Sequence, residues 1–308
     1  MRLPQPHPLD FDWRYSAASV QAICGLVSSE ATVLSVGTPS VSRYLDLASR
    51  DSILVDRQPF QNVSKHIVAE VGEVTLKIQK SIAVLDPPWY PAEAKRWLAW
   101  AASVVGQGGQ ILVTLWPEHT RPTARAEREE LARWVDGWGI LDETGIAVDY
   151  LSPEFEQVAV RRPGGISSDG DARRGDLVSI SVKSEPTMPP SHIEPGRWIR
   201  FTINDYQLAI RDSPYSTGLS TVAQVPGAEG WTWPHVSRRA RGRDSIGLWS
   251  SQNEVAVASD GHHLIQALRA YLTSEQSPTE LFRAYPALEQ WRIPKPPFWR
   301  TAEWQHRS

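Results

Sequence analysis

The sequence predicts an α/β fold with a Rossmann-like, mostly parallel seven-stranded sheet, followed by a second, smaller α+β domain. Two observations support the sheet. Short apolar runs have the length and β-branched content of buried strands, over residues 31–36, 51–56, 81–85 and 110–116. Amphipathic helical patterns alternate with these runs, as expected for parallel strands joined by crossover helices. Beyond residue 190 the pattern changes to short strand pairs, which indicates a separate module.

The third apolar run ends in the motif Asp86-Pro87-Pro88-Trp89. Open α/β sheets place their sites at the carboxyl ends of the strands, which is where Asp86 stands. The prolines restrict the backbone, so the Asp86 carboxylate and the Pro87 carbonyl face one small volume. Two acceptors there bind an NH2 group, and Trp89 offers a flat face to a planar substrate. These four residues are the predicted catalytic set for methyl transfer to an amine, and a plain strand ending is the alternative.

The first two strands end in residues suited to a cofactor. Gly37 ends the first strand, Thr38 is a favoured helix N-cap, and Pro39 is favoured at the first helical position. The start of the following helix attracts negative groups. Asp56 ends the second strand, where acidic residues of dinucleotide folds hydrogen-bond ribose hydroxyls. These four residues are the predicted cofactor-binding set, although the glycine-rich fingerprint is reduced to Gly37.

The remaining pattern predicts three regions. Residues 1–162 form the first domain, which begins with a helix and closes its sheet with an antiparallel pair over 140–150 and 155–160. Residues 163–190 are rich in Gly, Ser, Asp and Pro and are predicted to be a linker that carries one strand, over 177–182. Residues 191–308 form the α+β domain, with predicted strand pairs and a helix.

Three segments occur in one order at compact spacing: Val36-Gly-Thr-Pro-Ser-Val41, Leu54-Val-Asp-Arg-Gln-Pro-Phe60 and Asp86-Pro-Pro-Trp89. Over roughly residues 30 to 120 the chain resembles the N6-adenine methyltransferase-like family of class I S-adenosylmethionine-dependent methyltransferases. Relatives in that family include elongation-factor lysine methyltransferases and a ribosomal-RNA adenosine methyltransferase. Two features depart from the family: Trp89 replaces the usual Phe or Tyr, and the cysteine and histidine zinc elements of the RNA enzyme are missing.

The resemblance implies a class I methyltransferase sheet and S-adenosylmethionine as the cofactor. Carried over residue by residue, it assigns Gly37, Thr38 and Asp56 to the cofactor. It assigns Asp86, Pro87 and Trp89 to the target amine.

Composition limits the class of protein further. The net charge of −3 and the pI near 6.3 argue against a wholly basic surface, so any nucleic-acid face must be local. The single cysteine, Cys24, excludes an internal disulfide and a cysteine-based zinc cluster, and no metal is predicted. No signal-peptide pattern and no apolar run of about 18 residues is present, so we expect a cytoplasmic protein without a membrane partner.

A basic segment in the second domain is the predicted nucleic-acid contact. Trp231 and Trp233 precede four arginines, namely Arg238, Arg239, Arg241 and Arg243. Arginines beside aromatic side chains suit phosphates and stacked bases. The alternative is a solvated loop whose tryptophans lie in the core.

Together these patterns predict an S-adenosylmethionine-dependent amino-methyltransferase acting on adenine N6 in RNA or DNA. Trp89 favours this substrate because it suits stacking on a base, and a duplex target would have to be flipped out. Two alternatives stay open: a protein lysine methyltransferase, and a noncatalytic binding protein that kept the fold. The sequence does not indicate an oligomeric state.

Overall fold

The computed structural model describes residues 13–57, 60, 62–78, 81–151, 173–187, 189, 198–203, 206–213, 221–235, 240–273, 275, 277–291 and 293–294. These residues form two compact units. The N-terminal unit contains the described residues from 13 to 189, and the C-terminal unit contains those from 198 to 294.

The N-terminal unit is built on one mixed sheet. Its strands are β1 (Arg14–Tyr15), β2 (Thr32–Val36), β3 (Ser52–Asp56), β4 (His66–Val68), β5 (Ser81–Leu85), β6 (Gln110–Leu115), β7 (Gly139–Leu151) and β8 (Arg174–Val182). They lie in the order β1-β7-β8-β6-β5-β2-β3-β4. The pairs among β2 to β6 are parallel, whereas β8 runs antiparallel to both β6 and β7. The central strands β2 and β5 are almost fully buried, as their apolar runs predict.

Four helices connect these strands: α1 (Ala17–Gly25), α2 (Pro39–Leu47), α3 (Pro91–Val105) and α4 (Ala124–Asp136). The chain moves outward from β2 through α2 to β3, and in the opposite direction from β5 through α3 to β6. Right-handed crossovers therefore place α2 and α3 on opposite faces of the sheet. The strand order reverses between β2 and β5, and this reversal opens a crevice at their carboxyl ends. Gly37 and Asp86 stand at those two ends.

The closing pair of the sheet differs from the sequence prediction. β7 pairs with β8 from Gly139 opposite Val182 to Asp149 opposite Arg174, with a shift in register between Glu143 and Ile146. The strand assigned to the linker is therefore an internal strand of the sheet, and the linker prediction of 163–190 was wrong for that part. Residues 155–160, the predicted partner, lie outside the described residues. Pairing over long sequence distances depends on tertiary contacts, so alternating apolar patterns do not identify the partner.

The predicted fold class is confirmed by the strand order of the two sheets. Seven strands form the predicted sheet, and the two-residue β1 adds an eighth at its edge by antiparallel pairing with β7. The helix predicted near the N-terminus is α1, whose cap Ser16 accepts a hydrogen bond from the Ser19 amide at 3.2 Å. The boundary predictions at 162 and 190 otherwise stay predictions.

The C-terminal unit has a five-stranded antiparallel sheet in the order β11-β13-β12-β10-β9. Its strands are β9 (Trp198–Ile203), β10 (Tyr206–Arg211), β11 (Val222–Ala223), β12 (Leu248–Ser250) and β13 (Val255–Ala258). Its helices are α5 (Gly261–Leu272) and α6 (Pro278–Ala284), with short 3-10 helices at Arg243–Ser245 and Pro286–Trp291. Both predicted strand pairs and the predicted helix are present. Within the described residues of both units, no helix is long and apolar enough to cross a membrane.

Candidate active site

The turn after β2 requires a glycine. Gly37 has φ +64°, a left-handed conformation, and its amide donates to the Val55 carbonyl at 3.0 Å. A Cβ built on Gly37 would stand 2.8 and 2.9 Å from two carbon atoms of the Trp97 indole. Trp97 lies on α3, so the turn, β3 and α3 approach one another closely here. The absence of a Cβ on Gly37 therefore lets the turn pack directly against the Trp97 indole.

Thr38 and Pro39 stand at the start of α2, where Pro39 has its predicted role and Thr38 does not. Pro39 is the first helical residue, as predicted. Thr38 stands at the N-cap position, yet its hydroxyl donates to the Val84 carbonyl at 3.3 Å instead of capping the helix. Thr38 is buried and ties α2 to β5. The N-terminal amides of α2 keep the partial positive charge that favours an anionic group.

Asp56 ends β3, beside the Gly37 turn. Its side chain is mostly buried, at 8% exposed, and its carbonyl accepts from the Ala69 amide at 3.2 Å. A buried carboxyl group at a strand's carboxyl end is unusual unless hydrogen-bonding groups or a ligand satisfy it.

Asp86 follows β5 and lies next to the Gly37 turn, which follows the adjacent strand β2. Its amide donates to the Val36 carbonyl at 3.2 Å, which joins the ends of β5 and β2. The Tyr150 hydroxyl donates to Asp86 Oδ1 at 2.5 Å, from a position 64 residues further along the chain. The Tyr15 hydroxyl, which also faces Asp86, is 2.7 Å from Thr114 Oγ1. Two tyrosine hydroxyl groups therefore orient this carboxyl group.

Burial raises the pKa of the Asp86 carboxyl to about 7. The Tyr150 hydrogen bond lowers it, as do the positive charges of Arg173 and Arg14 and the Tyr15 hydroxyl. Burial also raises the pKa of both tyrosines, so their hydroxyls stay protonated as donors. Asp86 consequently changes its charge near neutral pH, which is a property that functional carboxyl groups often have.

Two tryptophan rings pack against Tyr150, the hydrogen-bond partner of Asp86. We call Trp13, Trp89 and Tyr150 the aromatic cage. The Tyr150 ring centroid lies 6.0 Å from those of both Trp89 and Trp13, in edge-to-face geometry. The Arg173 guanidinium carbon lies 3.8 Å from the Trp89 ring centroid and 4.6 Å from that of Trp13. One face of Trp89 is thus covered by a cation.

The sequence analysis missed Tyr150, Tyr15, Arg173 and Trp13. Tyr150 and Tyr15 lie on paired strands at the sheet edge, and Arg173 directly precedes β8. No local motif marks these positions. The position of Tyr150 near the end of a predicted strand was the one available signal. In the described part of the chain, no cluster of His, Cys, Asp or Glu side chains could hold a metal ion.

The basic segment is only partly described. Arg238 and Arg239 lie outside the described residues, and Arg241 is exposed. Arg243 is 7% exposed, and its guanidinium carbon is 5.6 Å from the Trp249 ring centroid. Trp233 is a core residue, at 1% exposed. Because Arg243 is buried, it is poorly placed to contact a phosphate. Arg241 is exposed to solvent, as the predicted nucleic-acid contact requires.

Comparisons with known proteins are informative at the level of fold. No protein-family model matches the chain, and no curated protein matches it by sequence. Among solved structures, a Thermus thermophilus 16S rRNA N2 methyltransferase in complex with AdoMet and guanosine is 14% identical, with a TM-score of 0.37. The match covers 70% of this chain and 54% of that one.

Two further solved structures match the chain at a similarly low identity. A Thermus thermophilus branched-chain polyamine synthase, in complex with N4-aminopropylspermidine and 5'-methylthioadenosine, is 13% identical with a TM-score of 0.46 and coverage of 60% and 62%. A 16S rRNA methyltransferase is 17% identical with a TM-score of 0.32 and coverage of 56% and 95%. This chain spans less than two thirds of the length of the first two structures.

Proposed function

We propose that this chain is an S-adenosylmethionine-dependent amino-methyltransferase. The observation that carries the proposal is the placement of Asp86 against the Gly37 turn, across the crevice where the strand order reverses. Open α/β sheets bind their ligands at this point. A partly buried carboxyl group oriented by Tyr150 has no structural need to end a strand there.

The residues present fit the cofactor. Gly37 allows the left-handed turn that sets the start of α2, and the uncapped start of α2 suits the methionine carboxylate. Asp56 at the end of β3 suits the ribose diol. When bound, the sulfonium supplies an electrophilic methyl group. Thr38 supports this site indirectly in our proposal, by fixing α2 to β5 through Val84.

Asp86 and the Pro87 carbonyl would hold the target nitrogen by its two hydrogens, so that its lone pair points away from them. Positioning a nucleophile in line accounts for roughly 7 to 11 kcal/mol of barrier. As the nitrogen gains the methyl group it becomes positive, and the nearby Asp86 carboxylate stabilises that charge. Asp86 must be ionised for this role, and the Tyr150 hydroxyl favours the ionised form.

Adenine N6 in RNA or DNA is the preferred substrate in this proposal, because a planar base can stack in the aromatic cage. Arg173 covers one face of Trp89 and the residue is 7% exposed, so a base that stacks on that face must displace the guanidinium. A protein lysine is the second candidate. It is favoured by the same cage, which already surrounds a cation beside a carboxylate. A noncatalytic protein of the same fold would bind no cofactor.

Cofactor binding is tested first with Asp56→Ala. We expect the wild-type protein to bind S-adenosylmethionine in calorimetric titration, and Asp56→Ala to bind it roughly tenfold to a hundredfold more weakly. The reason is the loss of a charge-assisted hydrogen bond to the ribose. Asp136→Ala, at an exposed position on α4, is the matched control and should bind like the wild type. Absence of binding by the wild type at millimolar cofactor would favour the noncatalytic protein.

Nucleic-acid binding is tested by its salt dependence. Replacing Arg238, Arg239 and Arg241 together by Ala should reduce the slope of log affinity against log salt by up to about 3, since each lost phosphate contact lowers it by roughly 0.7 to 0.9. Arg243→Ala alone should leave the slope unchanged and lower the stability instead, because Arg243 is buried beside Trp249.

A charge-matched control uses three exposed arginines of the N-terminal unit, namely Arg43, Arg125 and Arg133. If the variant of the basic segment keeps the wild-type affinity and slope, that segment does not contact nucleic acid. The preference then moves to a protein lysine. In that case Trp231→Ala should weaken capture of the protein substrate with little salt dependence.

A further inference from the structure

Arg173 connects two features of the candidate site, the aromatic cage and the Asp86 carboxyl group. Its carbonyl accepts from the Tyr150 amide at 3.0 Å, so its backbone is anchored to β7. Its guanidinium lies over the rings of Trp89 and Trp13, and the Tyr150 ring centroid is 5.9 Å away. Tyr150 in turn donates to Asp86. One side chain therefore touches the aromatic cage and places a positive charge near the carboxyl group.

We propose that Arg173 is a positioning residue of this site, which orients Trp89 by stacking on it and holds a positive charge beside Tyr150, the hydrogen-bond partner of Asp86. The catalytic consequence rests on the proposed methyltransferase function. The effects on Trp89 and on the charge of Asp86 do not, and both are measurable without turnover.

The charge effect follows from the surroundings of Asp86. Burial favours the protonated form, in which one carboxyl oxygen donates instead of accepting a hydrogen of the target amine. The ionisable groups that face Asp86 are Tyr150, Arg173, Arg14 and Tyr15. Of the two cations, Arg173 lowers the pKa of Asp86 more. The Arg14 guanidinium donates to the Trp13 carbonyl at 3.0 Å and lies 5.1 Å from the Phe60 ring centroid.

The stacking effect follows from distance and shape. A guanidinium carbon 3.8 Å from the Trp89 centroid is in van der Waals contact with the ring, and a planar cation attracts the negative face of an indole. Trp89 also packs against the sheet. A Cβ on Gly175 would lie 3.2 Å from Trp89 Cζ2 and 2.3 Å from Thr114 Cγ2. Trp89 therefore contacts both the cation and the sheet.

Two substitutions separate these effects. Arg173→Gln removes the charge, and Arg173→Lys keeps the charge while losing the planar stacking group. Arg174→Gln is the matched control, because Arg174 is the next residue, is 70% exposed and pairs with Asp149. The Asp86 carboxyl carbon is followed by NMR during a pH titration of protein labelled at aspartate, and Asp86→Asn assigns its signal. Near-ultraviolet circular dichroism reports the ordering of the tryptophans.

We expect Arg173→Gln to raise the proton affinity of Asp86 at least about tenfold, and Arg173→Lys and Arg174→Gln to leave it within about threefold of the wild type. Both Arg173 variants should change the near-ultraviolet signal, and Arg174→Gln should not. The pH at which methyl transfer reaches half of its maximum should follow the Asp86 titration in each variant. If Arg173→Gln does not fold, Arg173→Met provides the uncharged variant.

A titration of Asp86 that is the same in the wild type and the uncharged Arg173 variant overturns the charge effect. An unchanged near-ultraviolet signal in Arg173→Lys overturns the stacking effect. If the titration and the tryptophan signal change as expected but no variant, nor the wild type, transfers methyl groups, the positioning role of Arg173 stands. The proposed function then fails separately.

Discussion

Asp86→Ala is expected to lower the rate of methyl transfer by at least about a hundredfold to a thousandfold, while S-adenosylmethionine affinity stays within a few fold of the wild type. This is the range for removing one preorganised group that stabilises charge in a transition state. Asp86 faces the hydroxyls of Tyr150 and Tyr15 and is assigned to the target amine, so the cofactor should lose no contact. Turnover and calorimetric titration on the same samples measure the two quantities.

Two comparisons make this test specific. Asp86→Asn keeps an acceptor for the Tyr150 hydroxyl, so it should fold like the wild type and still lose most of its activity because the negative charge is gone. Asp142→Ala changes an exposed aspartate on β7 and should be fully active. Wild-type rates in Asp86→Ala, on the true substrate, would show that the active site lies elsewhere.

Gly37→Ala is expected to destabilise the N-terminal unit by about 2 to 5 kcal/mol and to weaken cofactor binding more than tenfold. An L-residue at φ +64° costs about 1 to 2 kcal/mol. The rest is overpacking, of about 1 to 3 kcal/mol, because the new Cβ would approach the Trp97 indole to 2.8 Å. Any shift of this turn also moves the start of α2, which the proposed function assigns to the cofactor.

Gly108→Ala separates backbone strain from packing. Gly108 has φ +82°, and a Cβ there would meet no atom within 4 Å. This control should therefore lose only about 1 to 2 kcal/mol of unfolding free energy, measured in urea, and should bind cofactor normally. If Gly37→Ala and Gly108→Ala lose the same unfolding free energy, the close approach of Trp97 is not the reason that position 37 needs a glycine. In that case, adding Trp97→Leu to Gly37→Ala should not recover any of the lost unfolding free energy.

Local patterns in the sequence were sufficient for the elements that carry the proposed chemistry. Buried parallel strands are continuous apolar runs, so β2, β3 and β5 are recognisable without any neighbour. Pro39 and Pro91 mark the first residues of α2 and α3. Because parallel strands bring their carboxyl ends to one edge, Gly37, Asp56 and Asp86 could be assigned to one site before any contact was known.

Contacts between segments distant in the sequence determined the partners of the site residues and the burial of Arg243. The partner of Asp86 is Tyr150, and the cation on Trp89 is Arg173, which directly precedes a strand predicted to belong to a linker. Antiparallel pairing of β8 with β6 and β7 brings these side chains together, and strand pairing depends on cross-strand packing rather than on local propensity. Arg243 shows the same limit, because a run of arginines does not reveal which of them tertiary packing will bury beside a tryptophan.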